Sequence, residues 1–105
     1  MIYVQNFTDI DDKIINAATE EGVDFLEVAN RNIADYYDAM DKLNVLRADH
    51  YPRVTEVVPE IIEMVETLIE KEHAYVADDG VWFSIESAPE KYGMLTGQSL
   101  SLIHI

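Results

Sequence analysis

Apolar side chains recur at helical spacing over much of the chain, and the clearest case is a central segment. Its apolar positions follow one another at steps of three or four residues, which places them on one face of a helix. Asp24 stands before this stripe as a candidate N-cap, and we expect the helix to run to about Leu46. The stripe consists of Phe25, Ala29, Ile33, Tyr36, Met40 and Leu43.

A first helix is predicted upstream of this one. Thr8 or Asp9 can cap it, Asp11 and Asp12 fall in its first turn, where the helix dipole favours anions, and Gly22 is placed to end it. Its buried face would consist of Ile10, Ile14 and Ala17 or Ala18.

A third helix is predicted after a connecting loop over residues 47–53, because the residue before Pro52 disfavours helix. Thr55 is its predicted cap, and Pro59 belongs in its first turn or marks its start. The apolar face of this helix is opposed by glutamates and consists of Val58, Ile61, Ile62, Val65, Leu68 and Ile69.

Two segments have the pattern of strands instead. Ile2 to Val4 is a short β-branched and aromatic run, which predicts a strand end leading into a loop. Residues 74–76 and 81–85 flank Asp79-Gly80, a pair that supplies the positive φ of a tight turn. We therefore expect a mainly α-helical chain with a short N-terminal strand, a β-hairpin near residues 74–85 and a loop after it.

Composition narrows the class of protein. A chain of 105 residues allows one domain with a modest core, and a net charge of -14 repels phosphates at long range, so that any RNA contact must be local. The chain has no Cys, which excludes disulfides and thiolate metal ligands within it. No apolar run approaches the roughly 18 residues of a membrane span, and Met1 begins no cationic signal segment, so we expect a cytoplasmic protein without a membrane partner.

The densest polar cluster runs from Asn6 to Lys13, where the predicted strand end leads into a helix, the place where ligands bind in α/β proteins. The structural interpretation is that Thr8 or Asp9 caps the helix and Lys13 pairs with Asp9. Aspartates also suit a divalent metal, but the sequence places no further ligand. His73 is interpreted as a favourable helix-end residue. The aromatic residues interpreted as helix packing are Phe25, Tyr36 and Tyr37.

The run from Tyr3 to Ile15 closely resembles the Tyr-Val-x-Asn-x-Thr-Asp-Ile-Asp-Asp-Lys-Ile motif of cysteinyl-tRNA synthetases. The likeness continues in order to about Ser99. It includes Leu43–Arg47, Pro52–Glu56, Lys71 with His73–Tyr75, Val81–Phe83 and Tyr92–Gly97.

This resemblance implies an α/β parent protein with a Rossmann-type class I catalytic domain, which forms cysteinyl-adenylate from cysteine and ATP and transfers cysteine to tRNA(Cys). Residues 1–22 would be a strand and helix of its nucleotide-binding domain, and residues 23–99 a helical and hairpin region entering the connective insertion. Thr8 would lie beside the bound cysteine as the main substrate-binding candidate. Asn6 and Asp9 are weaker candidates that shape the turn.

Several family features are missing. The His-Ile-Gly-His and Lys-Met-Ser-Lys-Ser type motifs do not occur, so we expect no catalytic residue here and no activity from this chain alone. The parent would use ATP and zinc, but the family's zinc ligands, two Cys, a His and a Glu, lie upstream and downstream of this segment. Glu72 stands where the family has the Gly that ends the third helix, so that this terminus is expected to run on or fray.

The last six residues leave the family pattern. Residues 100–105, Leu-Ser-Leu-Ile-His-Ile, match a translation of CTG TCT CTT ATA CAC ATC, the end of a transposon-type sequencing adaptor. We expect that they are not natural protein, with a short apolar strand as the alternative, and that Met1 is an internal methionine of the parent.

Two other interpretations stay open. A related ligase of the mycothiol-biosynthesis type joins cysteine to an amino sugar, but that family tends to lose the Lys-Ile-Ile that is intact here at residues 13–15. A stand-alone acidic helical interaction module would fold cooperatively by itself and bind a basic partner. A piece of a synthetase would instead be marginally stable, because its apolar stripes are meant for the rest of a domain.

Overall fold

A computed structural model describes residues 1–97, which contain three α-helices and one β-hairpin. The helices are α1 (Asp12–Glu21), α2 (Phe25–Lys42) and α3 (Val58–Glu70), and the strands are β1 (Ala74–Ala77) and β2 (Gly80–Phe83). Two short 3-10 helices cover Val54–Glu56 and Ile85–Ser87. The chain divides into two compact units, Met1–Val58 and a second beginning at Pro59. No helix within residues 1–97 has both the length and the apolar character to cross a bilayer.

Helix α1 begins later than the sequence predicts. Its N-cap is Asp11, whose Oδ1 accepts the Ile14 amide at 2.9 Å, so the prediction of Thr8 or Asp9 as the cap is wrong. The reason is that the Asp9 carboxylate binds elsewhere, to Thr55. Asp12 lies in the first turn, as predicted.

Helix α2 packs against α1 and carries most of the core of the first unit. The predicted cap is confirmed, because Asp24 Oδ1 accepts the Leu26 amide at 2.8 Å. The helix ends at Lys42 and not near Leu46, so Leu43 is 70% exposed instead of buried. The buried side chains of these two helices are Ala18, Val28, Ala29 and Ile33.

All three helices end in the same way, with one residue in the left-handed conformation. These residues are Gly22 (φ 69°), Asn44 (φ 56°) and Glu72 (φ 61°). After α3, the His73 amide donates to the Leu68 carbonyl at 2.8 Å, which closes the last turn as in a Schellman motif. The expectation that this terminus runs on or frays is therefore wrong, since Glu72 adopts the conformation that glycine would take.

The predicted N-terminal strand is not a regular strand. Residues 3–7 are extended and run parallel to residues 49–54, the segment predicted as a loop, but the pairing reduces to two isolated bridges, Val4 with His50 and Phe7 with Arg53. Every second amide of the N-terminal segment donates to the other segment: the Gln5 amide donates to the His50 carbonyl at 3.0 Å, and the Phe7 amide donates to the Pro52 carbonyl at 2.9 Å.

Proline explains the interruption. In a regular parallel ladder, the carbonyl of Gln5 would accept the amide of residue 52. That residue is Pro52, which has no N–H, so the ladder loses one bond at its centre. The flanking ladder bonds are present: the His50 amide donates to the Tyr3 carbonyl at 3.4 Å, and the Val54 amide donates to the Phe7 carbonyl at 3.1 Å.

The β-hairpin of the second unit is confirmed. Strands β1 and β2 are antiparallel with Tyr75 opposite Trp82, and Gly80 carries the positive φ of 152°. The Trp82 indole donates to Asp79 Oδ1 at 3.0 Å across the turn. Pro59 lies in the first turn of α3, as predicted, and residues 92–97 form turns without helix or strand. Residues 100–105 lie outside the described residues, so their assignment as adaptor sequence stays a prediction.

The left-handed residues provide a graded test of stability. Glu72→Gly should raise the free energy of unfolding by about 0.5–1 kcal/mol, because relief of the left-handed penalty exceeds the entropy that glycine adds to the unfolded chain. Asn44→Gly should gain less, since asparagine tolerates this conformation, and Gly22→Ala should lose stability. Denaturant unfolding measures all three, and a loss of stability in Glu72→Gly would contradict the assignment.

Candidate functional site

The junction between the extended N-terminal segment and α1 is held by an aromatic cluster, which we define as Phe7, Tyr36, Tyr37 and Tyr51. Phe7 stacks on Tyr51 with ring centroids 5.3 Å apart, and meets Tyr36 and Tyr37 edge-on at 5.3 and 5.5 Å. The predicted packing role of Tyr36 and Tyr37 is confirmed. The cluster fixes the backbone immediately before Thr8.

Asp9 anchors the other side of the junction. It is 1% exposed, and its carboxylate accepts two hydrogen bonds from Thr55, from the amide at 3.0 Å and from the hydroxyl at 2.5 Å. Burial alone would raise the pKa of Asp9, but these two bonds and the charge of Arg53 outweigh it and hold the pKa below its ordinary value. Asp9 is therefore charged at neutral pH.

Thr55 is the site residue that sequence reasoning missed. It lies in the 3-10 helix Val54–Glu56, whose own N-cap residue, Arg53, makes no side-chain cap bond. Asp9 supplies that bond from 46 residues upstream. The sequence predicts both residues as caps of adjacent helices, and its only signal for their pairing is that a carboxylate and a hydroxyl are each available.

Thr8 is exposed and lines a cavity of about 210 Å³ in the first unit. Asn6 Nδ2 lies 3.5 Å from Thr8 Oγ1, at the limit of a hydrogen bond. The cavity wall is mainly apolar with a few polar groups, as is usual for small-molecule sites. The lining residues are Phe7, Thr8, Ile14, Ala29, Asn32, Ile33 and Tyr36.

The other polar residues in the described part of the chain were also considered as possible metal ligands. Within residues 1–97, no group of three His, Cys, Asp or Glu side chains could hold a metal, and no ion pair joins Lys13 to Asp9. The sequence has no Cys, so this chain supplies no thiolate ligand for zinc. His73 follows the end of α3, and its Nδ1 lies 2.8 Å from Ser87 Oγ, a contact that secures the segment after the hairpin.

Comparison with known proteins now identifies the class. The family model of the class I (C) tRNA synthetase catalytic domain matches residues 1–105, so the chain belongs to this family of aminoacyl-tRNA synthetases.

Individual relatives show which enzymes of this class the chain resembles. The chain is 52% identical over 100 residues to the cysteine–tRNA ligase of Carboxydothermus hydrogenoformans, and 51% identical over 100 residues to that of Archaeoglobus fulgidus. Each alignment covers 95% of this chain and 21% of the relative, so the chain spans about a fifth of their length. The resemblance to cysteinyl-tRNA synthetases is confirmed.

The two hydrogen bonds from Thr55 to Asp9 should make the stability of the fold depend on pH. Because the pKa of Asp9 is lower in the folded chain than its unfolded value of 3.8, the stabilisation is complete above that value and is lost as the pH falls through the folded pKa. The difference in free energy of unfolding between wild type and Asp9→Asn should therefore stay nearly constant from about pH 7 to about pH 5 and should narrow as the pH falls below about 4. Denaturant unfolding at several pH values measures it.

Thr55→Val provides the control background for this titration. It removes the hydroxyl that helps to lower the pKa of Asp9. In the Thr55→Val background, the effect of Asp9→Asn on the free energy of unfolding should therefore depend less on pH or not at all. If the difference in free energy of unfolding between wild type and Asp9→Asn were independent of pH, Thr55 would not be what keeps Asp9 charged.

Proposed function

We propose that the chain is part of an ATP-dependent cysteine–tRNA ligase, which activates cysteine as cysteinyl-adenylate and transfers it to tRNA(Cys) in the cytoplasm. The observation that carries the proposal is the identity of about half of the residues to enzymes of that name, over 95% of the chain. The catalytic motifs and the zinc ligands would lie elsewhere in the parent protein.

The first unit would contribute the end of a parallel strand in a Rossmann-type domain. Parallel pairing of residues 3–7 with residues 49–54 supports this, because parallel strands belong to sheets covered by helices. We assign residues 1–22 to the strand and helix of the nucleotide-binding domain and residues 23–99 to the region entering the connective insertion.

Thr8 is the residue we place against the substrate cysteine. Its hydroxyl can donate or accept, and it lies at the end of an extended segment beside a mainly apolar cavity. Asn6 approaches Thr8 Oγ1 and would orient it. Asp9 is buried and bonded to Thr55, so its contribution would be to hold the turn instead of touching cysteine.

The isolated chain should not work as an enzyme. Ala74 is the one buried apolar residue of the described second unit, while Trp82 and Ile62 remain 50% and 52% exposed. Such large apolar side chains are normally covered in a stable domain. This thin core supports a segment that packs within a larger protein.

The proposal is tested on the complete gene product. Sequencing the gene on both sides should reveal the missing motifs, and the purified whole protein should catalyse cysteine-dependent exchange of pyrophosphate into ATP. The 105-residue chain assayed alongside should not. A complete gene without those motifs, or a whole protein inactive with cysteine, would contradict the proposal.

Thr8→Val in the whole protein should raise the KM for cysteine roughly 10-fold, as expected for one hydrogen bond to a substrate, and leave the KM for ATP nearly unchanged. The matched control is Thr19→Val, because Thr19 is also exposed and its hydroxyl only donates to the Ile15 carbonyl of its own helix, at 2.9 Å. Equal effects of the two substitutions on the KM for cysteine would show that Thr8 does not contact the substrate.

A further inference from the structure

We propose that Thr55 is a positioning residue for the cysteine site, acting through Asp9 on Thr8. This inference rests on the proposed function and concerns a residue 46 positions along the chain from Asp9. It requires that the geometry of Thr8 be set by the segment that contains Thr55.

Thr8 and Asp9 are neighbours in the chain but differ in exposure. Thr8 is exposed at the cavity, whereas Asp9 is 1% exposed and both of its carboxylate oxygens are bonded to Thr55. Rotation of the backbone at these positions would leave a buried carboxylate without partners, which is strongly unfavourable. Thr55 thus restricts where the Thr8 hydroxyl can point.

The residue before Thr8 is bonded to the same segment. The Phe7 amide donates to the Pro52 carbonyl at 2.9 Å, and the Phe7 carbonyl accepts the Val54 amide at 3.1 Å. Thr8 is therefore held on both sides by residues 52–55.

This segment is also bonded to the helix that forms one wall of the cavity. Arg53 Nη1 donates to Asn30 Oδ1 at 2.5 Å, and Asn30 belongs to α2, the helix that provides Ala29, Asn32 and Ile33 to the cavity. Residues 52–55 therefore fix both the Thr8 hydroxyl and the facing helix, so a change at Thr55 should alter the distance between them.

The side-chain chemistry makes the test specific. Thr55 uses its amide and its hydroxyl, so Thr55→Ser keeps both bonds to Asp9, whereas Thr55→Val keeps the shape and the amide but loses the hydroxyl bond. The matched control is Thr67→Val, because the Thr67 hydroxyl donates to the Glu63 carbonyl within α3, at 2.8 Å.

The experiment measures the KM for cysteine and for ATP in the whole protein by pyrophosphate exchange. Thr55→Val should raise the KM for cysteine roughly 10-fold with little change for ATP, and Thr55→Ser should restore it. In a Thr8→Val background, Thr55→Val should have little further effect, because both substitutions remove the same contact with cysteine.

Equal changes for cysteine and ATP, no change in Thr55→Val, or additive effects with Thr8→Val would each overturn the inference. Should Thr55→Val not fold, Asp9→Asn decides it, since loss of the charge weakens the same bonds and should raise the KM for cysteine alone. A wild-type protein without cysteine-dependent exchange overturns the proposed function and this inference with it. An active wild type with an unaltered Thr55→Val overturns the inference alone.

Discussion

A buried carboxylate that must be bonded organises the first unit. Among residues 1–97, Asp9 is the one buried charged side chain, in a chain with 21 acidic residues, so the other described acids remain in contact with water. Because an unpaired buried charge is very costly, Asp9 requires Thr55, and Thr55 lies in a segment distant in sequence. The bond pair therefore brings residues 49–55 against the N-terminal segment and allows a short 3-10 helix to begin without a cap of its own.

Aromatic side chains at the junction compensate for a missing backbone hydrogen bond. Pro52 removes one bond from the centre of the parallel pairing. The aromatic cluster joins the two paired segments through the stacking of Phe7 on Tyr51. Phe7 contacts three rings in all, and aromatic pairs of this kind contribute roughly 0.5–1.5 kcal/mol each beyond their burial. The guanidinium of Arg47 lies 4.2 Å above Tyr37 and closes the cluster on its outer side. Side-chain packing thus holds in register a strand pair that its hydrogen bonds alone would leave weak.

Local signals predicted the elements, and long-range contacts decided the site. The Asp24 cap, the end of α1 at Gly22 and the β-hairpin each depend on residues within a few positions of one another, and all three were predicted. Asp9 and Thr55 looked like caps of their nearest helices, because a single sequence does not reveal which distant partner a polar side chain will choose. Glu72 was misread for a related reason: nothing local favours glutamate at positive φ, and the closing bond of α3 imposes that conformation. Thr8 came from the family resemblance, whereas the cavity beside it depends on the packing of α1 and α2, which periodicity does not place.

Asp9 and Thr55 hold the junction together, and amide hydrogen exchange of the chain tests this role most directly. The amides of Gln5, Phe7 and Thr55 should exchange together, more slowly than exposed amides, because one opening event breaks the parallel pairing and the bond to Asp9. In Asp9→Ala all three should lose protection while amides within α2 keep theirs. A wild-type Thr55 amide that exchanges at the rate of an unstructured residue, while α2 is protected, would contradict the claim.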